Sequence, residues 1–262
     1  MRSRSSGFWL RILIAAGIVI FSLIKFYSSS EVNEITGEKQ YISLNKEQEI
    51  ALGLNSAPQM AAEFGGLSRN AQARYLVDSI GQTIVRKSAA AKSQYPFDFH
   101  LLADNRTVNA FALPGGQIFI TEGLLGRLEN IDQLAGVLGH EVGHVIARHS
   151  AQQMAKQELS QGIAGAAGVA GGDANSAYYA QVVANMVNMK YGREDELESD
   201  DLGVRFMMES GYNPEALIGV MDILEAASGG SNVPEFQSTH PAPENRRGKI
   251  REAIQKYSAQ GL

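Results

Sequence analysis

The chain has 262 residues, a formal net charge of -5, and 44% hydrophobic and 19% charged residues. This length and composition are typical of one large or two small folded domains. The negative charge is mild and dispersed, and no basic stripe or nucleic-acid-binding motif is present, so nucleic acid is not expected as a partner. Because the sequence contains no cysteine, disulfides, thiolate metal sites and a lipid-anchoring cysteine are excluded.

The first predicted element is an apolar segment near the N-terminus. Arginines lie at positions 2, 4 and 11, residues 12–24 are apolar, and Lys25 follows them. A helix over residues 12–24 rises only about 20 Å. Residues 8–27 reach the roughly 30 Å of a hydrocarbon core if the flanking basic side chains extend to the interfaces.

Two interpretations of residues 1–27 fit this pattern. One is an uncleaved signal anchor, and the other is a secretory signal peptide that is cut near the small residues Ser28 and Ser30. Both keep the leading arginines in the cytoplasm and place the rest of the chain outside it. Membrane contact through the N-terminal segment is therefore predicted.

Polar residues 28–44 are predicted to be a linker, followed by a folded domain over residues 45–262. Within that domain, apolar residues at three- and four-residue spacings predict helices over residues 46–64 and 70–87.

Three short strands are predicted next. Residues 96–103 alternate between apolar and polar side chains, and residues 108–113 and 117–121 are typical of strands as well. The Pro-Gly-Gly sequence at residues 114–116 predicts a turn between the last two. Asn130 is typical of a helix N-cap with Gln133 as its capping-box partner, and the long helix it starts is predicted to run through His149.

The glycine- and alanine-rich residues 162–172 are predicted to break the helical pattern, either as a tight helical hairpin or as a mobile lid over the site. Helices are then predicted over residues 177–189 and 193–208. A further helix starts after the turn at residues 211–214, and the last covers residues 244–257. No internal repeat is visible. The predicted fold class is α+β, a mainly helical domain with a small inserted sheet.

The strongest motif is the HExxH pattern at His140, Glu141 and His144. Residues four apart share a helix face, so the two histidines can present ring nitrogens to one tetrahedral zinc ion. Glu141 can reach a water on that ion without binding the ion, and can act as its general base. Two solvated histidines would give the same letters, but the surrounding residues are apolar, and burying polar groups there needs a reason.

A catalytic zinc site takes three protein ligands and leaves the fourth position open. No third histidine follows at HExxHxxGxxH spacing, so a downstream carboxylate is expected. Glu196 and Asp200 are four apart on the helix predicted over residues 193–208, whereas Glu198 points elsewhere. We expect Glu196 to be the third ligand of one Zn²⁺ per chain, and Asp200 to accept the other N–H of a ligand histidine. The alternative is a solvated acidic helix face.

Several motifs in order resemble one peptidase family. They are HEVGH, the ELESD segment followed by Gly203, and NAFALPGG before the HExxH helix. Together they resemble the gluzincin zinc metallopeptidases related to HtpX and the CAAX prenyl proteases, and most closely the small bacterial periplasmic branch that includes the β-barrel-assembly-enhancing protease. The resemblance runs from about residue 46 to the C-terminus. Ser199 stands where that family usually has alanine, and the multi-pass membrane helices of HtpX are not seen in this sequence.

The resemblance implies a zincin-type peptidase domain whose small antiparallel or mixed sheet packs beside the HExxH helix. It also implies that Asn109, Ala110 and Phe111 lie on an edge strand that pairs with an extended substrate backbone, the alternative being a plain core strand. His240, in a His-Pro segment, would approach the zinc as a switchable fourth ligand or donate to the oxyanion. In the absence of that likeness it is an ordinary loop residue.

Three further polar residues are assigned outside the site. His100 and His149 are expected to be structural. Arg148 is expected either to pair with a carboxylate of the acidic helix or to face solvent.

The predicted function is that of a zinc-dependent endopeptidase that hydrolyses peptide bonds with metal-activated water. The resemblance implies unfolded or misassembled envelope proteins as substrates, on the periplasmic side of the cell envelope. The alternative is a zinc-bound chaperone or assembly factor with latent proteolysis, in which His240 caps the metal. A structural zinc protein fits poorly, because such sites prefer cysteine-rich sets of four ligands.

Overall fold

A computed structural model of the chain describes residues 4–171, 191–227, 235–240 and 245–262. The chain divides into two compact units, the smaller formed by residues 1–45 and 151–187 and the larger by residues 46–150 and 188–262.

The described helices and strands are, in chain order, α1 (Arg4–Ser28), β1 (Ser30–Val32), β2 (Lys39–Tyr41), α2 (Lys46–Glu63), α3 (Ala71–Lys87), β3 (Asp98–Leu102), β4 (Ala110–Ala112), β5 (Gln117–Thr121), α4 (Glu122–Leu125), α5 (Ile131–Ile146), α6 (His149–Gly171), α7 (Arg193–Ser210), α8 (Ala216–Ala227), α9 (Glu235–Thr239) and α10 (Arg246–Ala259).

The smaller unit contains α1, most of α6 and a β-hairpin. β1 and β2 pair antiparallel, with Ser30 opposite Tyr41. The side-chain oxygen of Asn33 accepts hydrogen bonds from the backbone of Ile35 and Thr36 at 2.9 and 3.1 Å, which stabilises the turn. Residues 28–44, expected from their composition to be a linker, therefore contain ordered strands.

The larger unit contains a three-stranded mixed sheet. β5 lies in its centre, parallel to β3 and antiparallel to β4. All five residues of β5 are buried, as expected of a central strand. β4 is therefore an edge strand, and it contacts α5. The predicted class, a mainly helical α+β fold with a small mixed sheet beside the HExxH helix, is confirmed.

The HExxH helix, α5, is the centre of the larger unit. Its N-cap is Asn130, whose side-chain oxygen accepts a hydrogen bond from the backbone of Gln133 at 2.9 Å. The side chain of Gln133 accepts from the backbone of Glu129 at 2.7 Å, one residue before the predicted capping-box position. Residues 133–146 are all buried. A helix that is buried all round must satisfy its polar side chains within the protein.

Small residues allow α7 to lie close against α5. A Cβ atom on Gly143 would be 2.9 Å from the carbonyl oxygen of Ser199, and one on Gly203 would be 3.1 Å from the backbone nitrogen of His140. Larger side chains would separate the two backbones. Glycine at these positions therefore brings the acidic face of α7 against the HExxH motif.

The prediction that one helix continues from Asn130 through His149 is wrong. α5 ends at Ile146, because Arg148 has a left-handed backbone with φ of 55°, and a new helix begins at His149. That conformation disfavours a residue other than glycine by about 1–2 kcal/mol. Two contacts from the Arg148 guanidinium to Glu49 of α2, at 2.8 and 2.9 Å, help to stabilise the bend.

The predicted break at residues 162–172 is also wrong over the described residues, because α6 continues to Gly171. Glycine lowers helix propensity, but tertiary packing commonly outweighs that preference. Gly172 and the helix predicted over residues 177–189 lie outside the described residues. The helix predicted over residues 193–208 is present as α7, and the last predicted helix is present as α10.

Candidate metal centre

Four buried side chains converge at the contact between α5 and α7. His140 and His144 lie on α5, Glu196 lies in the first turn of α7, and His240 directly follows α9. One potential ligand atom from each lies within 4.8 Å of the others. The Nε2 atoms of the two α5 histidines are 3.0 Å apart, and the Glu196 carboxylate oxygens lie 3.5 and 3.4 Å from them.

His240 faces the same point through Nδ1, whereas His140 and His144 face it through Nε2. Its Nδ1 lies 2.9 Å from Glu196 Oε1 and 3.4 Å from His140 Nε2. Its Nε2 lies 3.7 Å from Glu141 Oε1. The ring of Phe236 stacks on the His240 ring with centroids 4.4 Å apart. His240 is thus held in the cluster and is not an ordinary loop residue.

Asp200 and Arg246 orient His140 from behind. The Nδ1–H of His140 donates to Asp200 Oδ1 at 2.9 Å, so the lone pair of Nε2 faces the cluster. Arg246 donates to both oxygens of Asp200, at 2.7 and 2.9 Å. Burial alone would raise the pKa of Asp200. The charge of Arg246 and the hydrogen bonds from His140 and Arg246 outweigh burial and hold this pKa below its usual value.

His149 and Glu198 orient His144 through a chain of two hydrogen bonds. His149 Nε2 lies 3.1 Å from Glu198 Oε2 and must donate to that carboxylate, so His149 Nδ1 is an acceptor. His144 Nδ1 lies 2.9 Å from His149 Nδ1 and therefore donates to it. The lone pair of His144 Nε2 then faces the cluster. The hydroxyl of Ser199 lies 3.3 Å from the same His149 nitrogen.

Tyr191 covers the other side of His144. Its ring stacks on the imidazole with centroids 4.0 Å apart, and its hydroxyl lies 3.0 Å from Ser150 Oγ. The backbone N–H of Tyr191 donates to Thr239 at 3.1 Å, next to His240. These contacts fix the orientation of the His144 ring and hold the segment that carries His240.

The electrostatics of the cluster favour metal-binding protonation states at His144 and Glu196 but not at His140. Burial lowers the pKa of His140, but hydrogen bonds to Asp200 and Glu196 outweigh burial and raise this pKa to about 9, so a metal ion would displace a proton there. Burial lowers the pKa of His144 well below its usual value, which keeps the imidazole neutral. Burial alone would raise the pKa of Glu196, but the charge of His240 and hydrogen bonds from His140, His144 and His240 hold it well below the usual range. A neutral imidazole and an ionised carboxylate are the forms that bind metal ions.

The donor atoms fit a cation of the size and preference of zinc. Zn²⁺ bound by nitrogen and oxygen at about 2.0–2.2 Å in a tetrahedron places neighbouring ligand atoms roughly 3.3 Å apart. Neighbouring donor atoms here lie 2.9–3.5 Å apart when both Glu196 oxygens are considered, and one donor atom from each of the four residues lies within 4.8 Å of the others. Among the described residues, Glu196 Oε2 is buried without a hydrogen-bond partner. Nη2 of Arg246 lies 3.3 Å from this oxygen as a buried ion pair. Imidazole nitrogens and a carboxylate oxygen are donors that zinc prefers, so their buried convergence can hold a metal ion.

Glu141 adjoins the cluster without belonging to it. The side chain is fully buried, and within the described residues neither carboxylate oxygen has a hydrogen-bond partner. Burial raises the pKa of this carboxyl, although the charges of His240 and His140 oppose the increase. A carboxylate with a raised pKa and free lone pairs beside a metal site is suited to accept a proton.

The structure places His140, Glu141, His144, Glu196, Asp200 and His240 close together, and two further residues lie with them. His149 was expected to lie outside the site pattern, yet its Nδ1 contacts His144. Glu198 does point away from the cluster, but towards His149. The sequence feature that could have revealed this contact is the position of His149, five residues after His144. In the continuous helix that was wrongly predicted, that position lies on a face away from the site.

Other predicted residues lie outside the cluster. Asn109 precedes β4, and Ala110 and Phe111 are part of it. Asn109 is buried, and within the described residues its Oδ1 has no hydrogen-bond partner. Arg148 pairs with Glu49 of α2 and not with the acidic helix. His100 lies in β3 and its Nε2 is 2.9 Å from Gln117 Oε1, away from the metal cluster.

Comparison with known proteins identifies the family. The model of peptidase family M48 matches residues 70–254. The β-barrel assembly-enhancing protease of Escherichia coli strain K12 is 32% identical over 180 residues, which cover 65% of this chain and 36% of that protein. The mitochondrial metalloendopeptidase OMA1 of Schizosaccharomyces pombe is 27% identical over 247 residues, covering 92% of this chain and 69% of that protein.

A third relative, the metalloprotease YcaL of Escherichia coli strain K12, is 31% identical over 151 residues, covering 56% of this chain and 58% of that protein. The chain thus spans about a third of the length of the β-barrel assembly-enhancing protease that it matches. The matched family region includes the whole cluster, from His140 to Arg246.

Proposed function

Because the chain belongs to peptidase family M48, we propose that it is a zinc-dependent endopeptidase. The observation that carries this proposal is the buried convergence of His140, His144 and Glu196 with Glu141 beside them. The proposed peptidase domain is residues 45–262, preceded by an anchor over residues 1–27 and a connecting segment over residues 28–44.

Nε2 of His140, Nε2 of His144 and the carboxylate of Glu196 would hold one Zn²⁺. A zinc ion in such a site lowers the pKa of a coordinated water to about 7 and polarises the scissile carbonyl. Asp200 and His149 accept the other N–H groups of the two ligand histidines and so hold both rings in the binding orientation.

Glu141 is the proposed general base. It takes a proton from the attacking water as the water oxygen bonds to the carbonyl carbon. It then returns this proton to the amine nitrogen as the C–N bond breaks. The burial that raises the pKa of Glu141 makes its carboxylate a stronger base.

His240 is proposed as a removable fourth ligand that keeps the site latent. This role is supported by Nδ1, which faces the same point as the other three ligands. In that position the imidazole occupies space that water and the substrate carbonyl need. Removal of the ring should therefore raise turnover. If His240→Ala instead lowers turnover with zinc retained, His240 is the donor to the oxyanion.

Asn109, Ala110 and Phe111 are proposed to bind the substrate backbone. Support comes from the position of β4 at the edge of the sheet next to α5, where an extended peptide can add as a further strand. The backbone N–H of Phe236 donates to Val108 at 3.2 Å, so the segment that carries His240 borders this edge. Displacement of that segment would expose the edge and free the fourth ligand position together.

The proposed location is the extracytoplasmic side of the cell envelope. The leading arginines, by their tendency to remain in the cytoplasm, direct the chain after Ser30 outwards. Unfolded or misassembled envelope proteins are the proposed substrates, in line with the name of the β-barrel assembly-enhancing protease. Protease added to intact spheroplasts should digest the domain, and digestion only after lysis would refute this orientation.

A zinc-bound chaperone or assembly factor is the second candidate, and the position of His240 in the ligand cluster favours it. Glu141→Gln separates the two functions. The substitution preserves size and helix but cannot accept the proton, so proteolysis of casein should fall by about 10²-fold or more while zinc content is unchanged. Equal proteolysis by both proteins would reject the peptidase mechanism. Full rescue of envelope assembly by Glu141→Gln would support the chaperone.

A further inference from the structure

One face of α1 is partly covered along most of the helix. The partly buried residues recur every three or four positions, and the positions between them are exposed. They are Ile12, Ala15, Ile18, Val19, Ser22, Leu23 and Phe26. This period places the partly buried residues on a single stripe of the helix. The other face is apolar and exposed, with Ile20 at 57% and Ile24 at 63% exposure.

The second half of α6 is a neighbour of this stripe. Lys25 Nζ lies 2.6 Å from Glu158 Oε2. A Cβ atom on Gly162 would be 2.9 Å from the Cβ of Ser22 and would collide with its hydroxyl. The contacts move towards the N-terminus of α1 as they move towards the C-terminus of α6, so the two helices are antiparallel. Glycine and serine at a crossing allow close approach of helices in membranes as well as in water.

The polar ends of the two apolar segments coincide. On α1 the apolar run ends at Lys25, and on α6 the last charged residue before residues 159–171 is Glu158. The ion pair between these two residues places both boundaries at one level. Beyond it, residues 159–171 continue as about 20 Å of helix, antiparallel to the apolar part of α1. They contain no charged residue, and Ile163 is 43% exposed.

We propose that residues 159–171 lie in the bilayer with α1, so that two antiparallel helices that approach each other at Ser22 and Gly162 contact the membrane. This inference rests on the proposed membrane anchoring by α1, the helix whose segment Gly7–Ser28 is long and apolar enough to cross a membrane. Lipid fits residues 159–171 because they contain no charged residue and Ile163 is exposed, as is the apolar outer face of α1. The contacts of Ser22 and Lys25 with α6 also favour a retained anchor over a cleaved signal, since cleavage would remove both.

The absence of cysteine from the sequence makes the helix pair directly testable. In the full-length protein in membranes, Ser22→Cys with Gly162→Cys should form a disulfide on mild oxidation, identified by mass spectrometry of the linked peptides. The matched control is Ile24→Cys with Gly162→Cys, which places the thiol on the exposed face and should not link. Because the first pair is crowded, Lys25→Cys with Glu158→Cys, joined by a short bismaleimide, is a second measurement. Failure of both pairs to link overturns the packing.

Single cysteine variants test whether residues 159–171 lie inside the bilayer. Ile163→Cys should react with a charged maleimide about tenfold or more slowly than Lys156→Cys, because a thiol in hydrocarbon rarely ionises. A bimane attached at position 163 should be quenched by spin-labelled lipid in vesicles, and one at position 156 should not. Equal labelling and no quenching at position 163 overturn the membrane placement. An N-terminus that begins after Tyr27 in the mature protein overturns the helix pair and leaves the peptidase proposal intact.

Discussion

His144 and His149 face each other through their Nδ1 atoms, 2.9 Å apart, and His149 continues to Glu198 on its other side. His140 is oriented by a carboxylate directly, whereas His144 is oriented by a carboxylate through an intervening imidazole. His140 and His144 therefore have different supports, and His149 can be tested apart from both.

His149→Phe should weaken zinc binding by about 10–100-fold, because the N–H of His144 loses its acceptor and the ring loses its fixed orientation. His149→Asn should retain most of the affinity, since its side-chain oxygen can accept the same hydrogen bond. The measurement is the zinc dissociation constant from chelator competition. His100→Phe, in β3, is the matched control and should leave zinc affinity unchanged. Unchanged affinity in a folded His149→Phe protein would contradict the orienting role.

Glu196→Ala should remove most of the bound zinc, because it deletes one of three proposed ligands and the only carboxylate among them. The control is Glu194→Ala. Glu194 lies in the same helical turn, but its side chain is exposed, so this variant should keep a full complement of zinc. Metal analysis of the two purified proteins checks this. Full zinc retention by Glu196→Ala would exclude Glu196 as a ligand.

Gly143→Ala should weaken both folding and zinc binding. The new methyl group would lie 2.9 Å from the Ser199 carbonyl oxygen and separate α7 from α5. Gly139→Ala is the control on the same helix, because its methyl group would lie 3.4 Å from the nearest atom, an ordinary contact. Alanine favours a helix over glycine by about 1 kcal/mol, so the control should be as stable as the parent or more stable. Denaturant unfolding and zinc competition distinguish the two, and equal behaviour would exclude tight packing at Gly143.

Arg246→Met should lower the free energy of unfolding by about 3–5 kcal/mol, because it leaves the Asp200 carboxylate buried without its cation. Arg247→Met is the adjacent control. Its partners, Asp222 and Glu225, are exposed, so the loss should be no more than about 1 kcal/mol. Urea titrations of both variants give the comparison. A loss as small as that of the control would mean that Asp200 is stabilised without Arg246.

Local sequence patterns were sufficient to predict which polar side chains share a face on α5 and on α7. The four-residue spacings of His140 with His144 and of Glu196 with Asp200 place each pair on one helix face wherever that helix packs. Asn130 marked the start of α5 because N-capping depends on its own side chain and the next turn. β5 matched its predicted bounds because its side chains are those of a buried strand.

The support of the site depended on contacts between residues that are distant in sequence. Arg246 reaches Asp200 across 46 positions, and Glu198 reaches His149 across 49. His149 meets His144 only because Arg148 adopts a left-handed conformation beside Glu49, which ended a helix that the apolar pattern alone would have continued. Helical periodicity determines which side chains share a face, and the sequence alone predicted that. Which faces meet depends on how closely the backbones pack, and this was decided by the crossing of α5 and α7 at Gly143 and Gly203.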